Sequence, residues 1–337
     1  MLPRVSFLLP VYNEQEHLGE ALESIAAQDY PVDRIEALLA EGGSTDGTAV
    51  VIEAYRGRLS MQVIPNPTRN TAVGRNLCLK HATGELVLNF SGHAVAEPRL
   101  VRTLVDKLAQ KPTEVAGIGC AIQSSGSKTA VGRVIAAVLR SPLGGGGAMD
   151  SSYQAASDCD VRSVAFCLYR RAAVEQIGGF DSEFWCGQDA ELNLRLAKAG
   201  YRLRFTPETY VVHYKRPTLG GLMQQMFRYG AARAALTRKF PGSLRAVFLL
   251  PALWVLTWVA LAVSSLLSTT VAIVTAGCAA AFVVVGSLSV VFAGSGLAGL
   301  LLGPVVYAIV YTAYGLGLLG GFLSLKQTRR ASEGLGH

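Results

Sequence analysis

The sequence predicts an α/β domain built on a Rossmann-like, mainly parallel sheet, followed by helices that span a membrane. Three observations carry that expectation. Residues 4 to 40 read strand, helix, strand with short connections, which is a βαβ unit. Residues 1 to 240 have the charge content of a water-soluble domain. From Ala246 to Leu325, 80 residues pass without a single Asp, Glu, Lys or Arg, whereas one spanning helix needs only about 20.

Taken in order, Arg4 to Val11 (RVSFLLPV) is apolar on both faces, as a buried parallel strand is. Glu16 to Ala27 places Leu18, Ala21, Leu22, Ile25 and Ala26 at helical spacing, and Ile35 to Ala40 reads as the next strand. A sheet of this kind binds ligands at the carboxyl ends of its strands. Both ends carry polar groups: Tyr12-Asn13-Glu14 after the first strand and EGGSTDGT, Glu41 to Thr48, after the second. Glycines let that loop bend against a ligand, and Ser, Thr and Asp supply hydrogen bonds and cap the helix expected over Ala49 to Tyr55. A plain capped turn has the same composition.

Met61 to Ile64 reads as a strand, Asn66 to Asn76 as a loop entering a helix that ends at Ala82, and Glu85 to Phe90 as a further strand. Leu100 to Leu108 is helical by spacing, Gly117 to Ile122 and Val164 to Tyr169 are strands, and Ala172 to Ile177 is a short helix. Between them, Gly126 to Asp160 shows no periodicity and contains the run Gly144 to Gly147, so mobility is expected there. Tyr210 to Tyr214, YVVHY, ends as a strand does.

The stretch GGFDSEFWCGQDAELNLRL, Gly178 to Leu196, organises the rest. A Gly-Gly-Phe-Asp turn leads through an aromatic loop to Gln188-Asp189, after which Leu192, Leu194 and Leu196 begin a helix. Asp189 is therefore expected at or just inside a helix N-terminus, where free amides and the dipole favour a carboxylate. Taken alone, the position fits a capping acid as well as a reactive one.

The net charge of +7 is not gathered into a dense basic run, so nucleic acid is excluded as a partner. Arg228, Arg233, Arg238, Lys239 and Arg245 stand just ahead of the apolar region, where anionic headgroups place them. The N-terminal apolar run is too short for a secretory segment and acids follow it, so the first domain is expected to stay cytosolic. The six cysteines show no paired spacing and read as reduced thiols.

PVYNE, followed some thirty residues later by EGGSTDGT, resembles the nucleotide-binding half of family 2 glycosyltransferases, which have the GT-A fold. Their loop usually reads DDGSTDGT or DGGSTDGT. The resemblance assigns Pro10, Tyr12, Glu14, Glu41 and Asp46 to the nucleotide base and ribose of a nucleotide-diphospho-sugar, most simply a UDP-sugar. Glu41 stands where the family has Asp. Arg75 and Asn76 fall on the loop-helix that approaches the nucleotide and diphosphate in similar enzymes. The block GGFDE…ED…L..R is matched by Gly178, Gly179, Phe180, Asp181, Gln188, Asp189, Leu192 and Arg195, with Gln188 in place of Glu. The family's catalytic base falls on Asp189, and Gln188 beside it faces the acceptor.

The pattern breaks at the two acids that hold a divalent cation, Mn²⁺ or Mg²⁺, against the diphosphate. Here the chain reads Ser91-Gly92-His93-Ala94, closest to the DAHA form of succinoglycan-type transferases without its leading Asp. Ser91 and Gly92 are thus assigned to the nucleotide sugar and His93 to the metal. Imidazole suits borderline ions better than Mg²⁺, and His213 is placed as a second metal ligand by the late His that such enzymes supply. Alternatively Lys215 and Arg216 carry the phosphate charge directly.

Gln225-Met226-Phe227-Arg228-Tyr229 resembles the Q-x-x-R-W motif that contacts the acceptor sugar in polysaccharide synthases, which points to Gln225, Arg228 and Tyr229. Leu222, Met226, Tyr229 and Arg233 equally describe an amphipathic helix near 219–240 lying at the membrane interface. The apolar region divides into about three spans, near 247–267, 270–293 and 297–323, or into two and a re-entrant segment that leaves Lys326, Arg329 and Arg330 on the side of the other basic flank. Pro251 and Pro304 are candidate kinks. Together these readings imply a multi-pass protein of the inner (cytoplasmic) membrane whose domain 1–240 transfers a sugar, with inversion, to a lipid-linked acceptor. The alternatives are a processive polysaccharide synthase and a degenerate relative that binds nucleotide sugar without turnover.

Overall fold

The computed structural model describes residues 2–124, 129–141, 144, 155–214, 218–292 and 296–323. They group into two units: residues 1–125 with 151–214, and residues 126–150 with 215–337.

The first unit is a mixed sheet with helices on both faces. Strands β1 (Val5–Val11), β2 (Ile35–Glu41), β3 (Ser60–Pro65) and β4 (Leu86–Asn89) are parallel, in the order β3-β2-β1-β4. β5 (Ala94–Ala96), β6 (Val115–Ser124), β7 (Cys159–Val161), β8 (Cys167–Arg170) and β9 (Arg202–His213) extend it as β4-β8-β6-β9-β5, with β7 also paired to β9. The pleat decides the layers. Phe7, Leu9, Ala37 and Leu39 pack on one side with Leu18, Leu22 and Ile25 of α1 (Leu18–Ala26), Ile52 of α2 (Thr48–Ala54) and Leu104 of α4 (Leu100–Ala109). Leu8, Leu38 and Ala40 face the other side with Leu79 of α3 (Thr71–His81), Val174 of the helix Arg171–Gln176, and Leu192 and Leu196 of the helix Gln188–Lys198. That two-sided burial is what the unbroken apolar run of the first strand predicts.

Three expectations need correction. The strand expected over Val164 to Tyr169 begins only at Cys167, after a bend at Ala165-Phe166, and the Val164 side chain there packs against Gly119, whose missing Cβ gives it room. β9 starts at Arg202, well before YVVHY; a register shift between Cys120 and Ala121 lets one long strand serve β6 along its whole length. The segment 126–160 is not without structure. It holds α5 (Ala130–Arg140), capped by Thr129, whose hydroxyl accepts from the Gly132 amide at 3.1 Å. Val134, Ile135 and Val138 of α5 are buried. The run Gly145 to Gly147, Lys215, Arg216, Lys326, Arg329 and Arg330 lie outside the described residues.

We number the next helices α6 (Arg171–Gln176) and α7 (Gln188–Lys198), then, in the second unit, α8 (Leu219–Lys239), α9 (Leu250–Ser265), α10 (Thr269–Phe292) and α11 (Gly296–Leu323). Three helices, Ala246–Ser265, Thr269–Val290 and Ala298–Leu323, are long and apolar enough to cross a membrane. Pro251 lies in the first turn of α9, where its missing amide costs nothing, rather than at a kink. Pro304 lies inside α11. α8, expected to close the first domain, groups by packing with these helices. Its ridge Leu222, Met226, Gly230 and Ala234 is buried, and glycines on both helices let α8 and α11 approach: a Cβ at Gly230 of α8 would overlap the Tyr314 carbonyl, and one at Gly317 of α11 the Phe227 carbonyl. Small residues make such contacts where apolar surroundings supply no hydrophobic drive. The Arg238 guanidinium donates to the Gly321 carbonyl and Arg233 stacks 3.9 Å from the Phe248 ring centre.

Two outcomes follow. Gly230→Ala is expected to lower the thermal midpoint of the purified full-length protein, at a cost of about 1–3 kcal/mol from overpacking, while Gly220→Ala, whose added Cβ meets no neighbouring atom within 4 Å, does not lower it. Equal midpoints would refute the close packing. The second concerns buried Glu36, which accepts from Ser6 Oγ at 2.5 Å, from the Thr83 amide at 2.7 Å and hydroxyl at 2.9 Å, and from the Gly84 amide at 3.2 Å. Burial raises its pKa, but these hydrogen bonds and Arg4 at 3.6 Å outweigh burial and hold it below the usual carboxylate value. The contribution is therefore complete above the unfolded pKa of about 4.3 and is lost as pH falls through the lower folded value. Glu36→Ala is expected to cost about 2–4 kcal/mol at pH 7 by stranding several donors, with the gap to the parent closing in melts below about pH 4.

Candidate functional site

Two loops meet where β1 and β2 end, and side chain to backbone hydrogen bonds lace them together. Asn13, at φ +52°, donates its amide to Ser44 Oγ at 2.9 Å and accepts from the Thr45 amide at 2.9 Å. The Glu14 amide donates to Thr48 Oγ1 at 2.9 Å, the Gln15 amide to Asp46 at 3.2 Å, and Gln15 Oε1 accepts from Gly47 at 2.7 Å. Asp46, assigned to the nucleotide, spends its carboxylate on this lacing and on Thr48, whose amide lies at 3.0 Å and hydroxyl at 2.5 Å. The Thr48 hydroxyl is the main reason its pKa is held low.

Glu41 curls back over its own loop and accepts from the Gly43 amide at 2.9 Å and the Ser44 amide at 2.7 Å. Burial raises its pKa; the bonds from Ser44 and Gly43, with Arg69, bring it below the usual value and keep the group ionised. Each oxygen retains a lone pair for a ligand N–H. Pro10 pairs with Ala40 in the sheet and faces Gly74, whose missing Cβ admits α3 to the strand ends. Tyr12 is exposed, and its ring carries the Arg69 guanidinium 4.4 Å from its centre. Arg69 also donates to the Gly42 carbonyl at 3.1 Å, from a backbone at φ +54°. The sequence reading missed Arg69, since nothing in NPTRN signals a left-handed arginine that folds onto the first strand's end.

Across the site, Gly178 and Gly179, at φ +82° and +74°, make the turn ahead of Phe180. Asn76 grips that turn with both ends of its amide: Oδ1 accepts from the Phe180 amide and Nδ2 donates to the Phe180 carbonyl, each at 2.7 Å. That commitment replaces the nucleotide contact expected of Asn76. Asn70 caps α3 and donates to the Ser182 carbonyl at 2.9 Å. From the other side Arg195 donates to the carbonyls of Ile177 at 2.7 Å and Gly179 at 2.6 Å, while buried Glu191 holds its guanidinium at 2.6 Å. The turn is thereby fixed to α3 and α7 together.

Asp189 is the second residue of α7, after Gly187 at φ +73°. The helix has no side-chain cap, so the capping role left open by the sequence is not what the residue does. Its half-buried carboxylate enters no hydrogen bond or ion pair with the described residues, while the helix N-terminus and Arg75 supply positive potential. Arg75 lies 5.4 Å from the centre of the Phe180 ring with its Nε sealed from solvent and unbonded. Burial lowers the Arg75 pKa; the charge on Asp189 opposes that shift. Gln188 is buried and donates to the Trp185 carbonyl at 3.3 Å, bracing the aromatic loop.

The third group stands after β4. His93 Nδ1 is 2.7 Å from Glu14 Oε1, Ser91 Oγ lies 3.1 Å from either ring nitrogen, and the His93 and His213 ring centres are 4.9 Å apart. Gly92 is buried against the Glu14 side chain. Glu14, assigned from sequence to the base and ribose, thus directs its carboxylate to His93. Among the described residues no three His, Cys, Asp or Glu side chains converge as a metal cage. The chemistry of the set still fits a borderline cation, provided that diphosphate oxygens complete the coordination. Gln225, Arg228 and Tyr229 belong to α8 of the second unit: the Gln225 amide donates to the Tyr229 hydroxyl at 3.0 Å and Arg228 is exposed.

Comparison with known proteins agrees with this fold. Residues 3–232 match the family model described as glycosyltransferase-like family 2. The succinoglycan biosynthesis protein ExoA of Rhizobium meliloti is 31% identical over 67% of this chain and 68% of its own. A dolichyl N-acetyl-α-D-glucosaminyl phosphate 3-β-D-2,3-diacetamido-2,3-dideoxy-β-D-glucuronosyltransferase of Methanococcus voltae is 27% identical over 70% of this chain and 74% of its own. Among solved structures, the mannosyltransferase PcManGT from Pyrobaculum calidifontis, in complex with GDP-Man and Mn²⁺, superposes with a TM-score of 0.61 at 23% identity, covering 97% of this chain and 89% of that one. The fold is therefore that of the GT-A transferases, and the chain belongs to glycosyltransferase family 2.

Proposed function

We propose that this enzyme moves a sugar from a nucleotide diphosphate, a UDP-sugar in the simplest case, to a hydroxyl of a membrane-associated, lipid-linked saccharide, with inversion. The observation that carries the reading is the uncommitted Asp189 carboxylate at the start of α7, on the segment that Asn76 and Arg195 clamp. A partly buried carboxylate without a donor among the described residues is available to receive a proton. A phosphate acceptor is already ionised at pH 7 and needs no base, so the group favours an alcohol.

In this mechanism Asp189 takes the proton of the acceptor hydroxyl as its oxygen bonds to C1 of the sugar. The bond from C1 to the diphosphate breaks on the opposite face, and the nucleotide diphosphate departs with its electron pair. The Tyr12 ring, Glu41 and the preordered loop 42–48 receive the nucleotide; the half-buried Arg75 guanidinium is assigned to the growing negative charge. His93 and His213 would hold a divalent cation, which when bound neutralises the leaving diphosphate. Gln188, Gln225, Arg228 and Tyr229 are assigned to the acceptor. The printed activity of the M. voltae relative, which concerns a sugar on a lipid phosphate, supports an acceptor of that class, and the apolar helices α9 to α11 support a location at the membrane where one resides. The first unit is assigned to the cytosolic face, where nucleotide sugars are made.

Asp189→Asn is expected to lower kcat about 10²–10⁴-fold while the stabilisation conferred by UDP in thermal melts stays unchanged. A variant as active as the parent rejects the base assignment. Absence of transfer by the parent with every nucleotide sugar that stabilises it would instead support a binding protein.

A further inference from the structure

We propose that α11, although long and apolar enough to cross a membrane, lies in the plane of its surface beside α8, and that of the three apolar helices only the hairpin α9–α10 crosses. The faces of α8 and α11 then form a lipid-binding surface, and both flanks of the apolar region stay on one side. This anchoring is independent of the donor and acceptor proposed above.

The hairpin fixes the frame. α9 and α10 pack antiparallel: Ser265 Oγ and Thr275 Oγ1 lie 3.1 Å apart beside the turn at 266–268, and the Trp254 and Phe282 ring centres lie 4.7 Å apart toward the other end. Pro251 and residues 286–290 therefore belong to the open end, away from the turn. α11 meets both helices there. On α10, Ser287 Oγ donates to the Leu300 carbonyl at 2.6 Å, Ser289 Oγ to the Tyr307 hydroxyl at 3.0 Å, and Gly303 lies against Gly286 and Val290. On α9, Trp254 Nε1 donates to Thr312 Oγ1 at 3.3 Å and Gly315 lies against Pro251 and Val255. From Gly303 to Gly315 the helix advances about 18 Å. A third span would carry residue 315 that far up the hairpin, yet it meets the first turn of α9. Beyond the open end, Val259 and Val263 of α9 and Ile273 and Val274 of α10 are more than half exposed. α11 thus crosses the base of the hairpin and does not run along it.

The neighbour of α11 sets its depth. α8 runs beside its second half in the same direction: Gly317 lies against Phe227 and Ala231, Gly321 against Ala231 and Ala234, and Arg238 donates to the Gly321 carbonyl. α8 carries Gln225, Arg228, Arg233, Arg238 and Lys239, and each charge at the centre of the hydrocarbon would cost about 2.5–3.5 kcal/mol. A helix flanked by these side chains belongs at headgroup level. Both helices still turn apolar groups outward, Met223 and Phe227 on α8 and Leu301, Val305, Leu316 and Leu323 on α11, which with the cations is the composition of an interfacial layer. The described residues of this unit include no Asp or Glu, so anionic headgroups are the natural complement to the charge on Arg228 and Arg238. With two crossings, Lys326, Arg329 and Arg330 fall on the side of Arg238 and Arg245, as the positive-inside tendency requires.

Two measurements on the full-length chain test this. In the first, peptide tags before Met1 and after His337 are digested by protease in sealed membrane vesicles from the expressing cells; both tags are expected to be cut from the same face. In the second, a fluorescent non-canonical amino acid is placed singly at Val259, Leu301, Thr312 or Leu323, all exposed positions, and the protein is reconstituted with phosphatidylcholine brominated at defined depths. Thr312 is expected to be as shallow as Leu301 and Leu323, within the outer 10 Å or so of an interfacial helix. Val259, midway along α9, is expected about 15 Å below the surface, half the hydrocarbon thickness. Tags cut from opposite faces overturn the proposal, as does a Thr312 probe as deep as the Val259 probe with the tags on one face, which would describe a re-entrant helix. The tagged chain keeps its interior unaltered, so the first measurement stands even where a probe disturbs folding. Sugar transfer, assayed separately, is untouched by either result.

Discussion

The turn at Gly178 to Phe180 is the constraint on which the site depends. It passes between two helices that hold opposite ends of the chemistry: α3, which begins at the strand ends, and α7, which begins with Gln188 and Asp189. Asn76 on the first and Arg195 on the second bind its backbone from both sides. Each hydrogen bond contributes only about 1 kcal/mol net, or up to about 3 where the guanidinium donates. The set matters because it is shared: moving the turn breaks bonds to both helices. Two glycines in the left-handed region are what let the backbone pass, and at Gly179 a Cβ would stand 2.5 Å from Asn76 Oδ1.

The same economy governs the loops after β1 and β2. Asn13, Gln15, Glu41 and Asp46 satisfy the amides of residues 15, 43, 44, 45, 47 and 48 before any ligand arrives. Ordering this backbone during folding removes that cost from the binding step, which is how preorganisation raises affinity. The groups that remain uncommitted are correspondingly few. Asp189 has no bonded partner among the described residues, and Arg75 has a buried nitrogen without one. A polar group left unsatisfied in an otherwise saturated neighbourhood carries a desolvation cost of about 1–3 kcal/mol, and a ligand that supplies the missing partner recovers it. That contrast, more than the number of charges present, marks where substrate is expected.

The fold was legible wherever one segment carried its own periodicity. The alternation of Phe7, Leu8 and Leu9 announced a strand buried on both faces, and the unbroken apolar residues after Ala246 announced membrane-type helices. Pairing between distant segments was not legible. β5 and β7 are three residues each and are defined by β9, which itself extends far beyond its apolar end. α5 escaped notice because Gly132 interrupts its apolar positions and its burying partners lie 80 or more residues away. In the site, residue types were visible and their commitments were not. Glu14, Asp46 and Asn76 all read as ligand contacts, yet their side chains are engaged with His93, the loop backbone and Phe180. A sequence shows which groups can bond, and only the fold shows which already have.

The second unit applies the opposite rule to reach order. Its helices expose long apolar faces and carry few polar groups, so specificity cannot come from saturating donors. It comes from shape. α11 presents glycines to α8, α9 and α10 at different heights: Gly317 and Gly321 meet α8, Gly315 meets the Pro251 carbonyl of α9, and Gly303 meets Gly286 of α10. Each admits a neighbouring backbone closer than any side chain would, and dispersion contacts accumulate along the approach. The few hydroxyls are then placed between helices, as in the chain from Ser141 after α5 through Tyr307 of α11 to Ser289 of α10, at 2.8 and 3.0 Å. Inside an apolar bundle such a chain costs free energy unless every member is bonded, so it fixes the rotation of three segments against one another where Leu and Val alone would permit several. Helix α5, drawn from the middle of the first unit's sequence, thus packs with the membrane-type helices through shape and through the hydroxyl of Ser141.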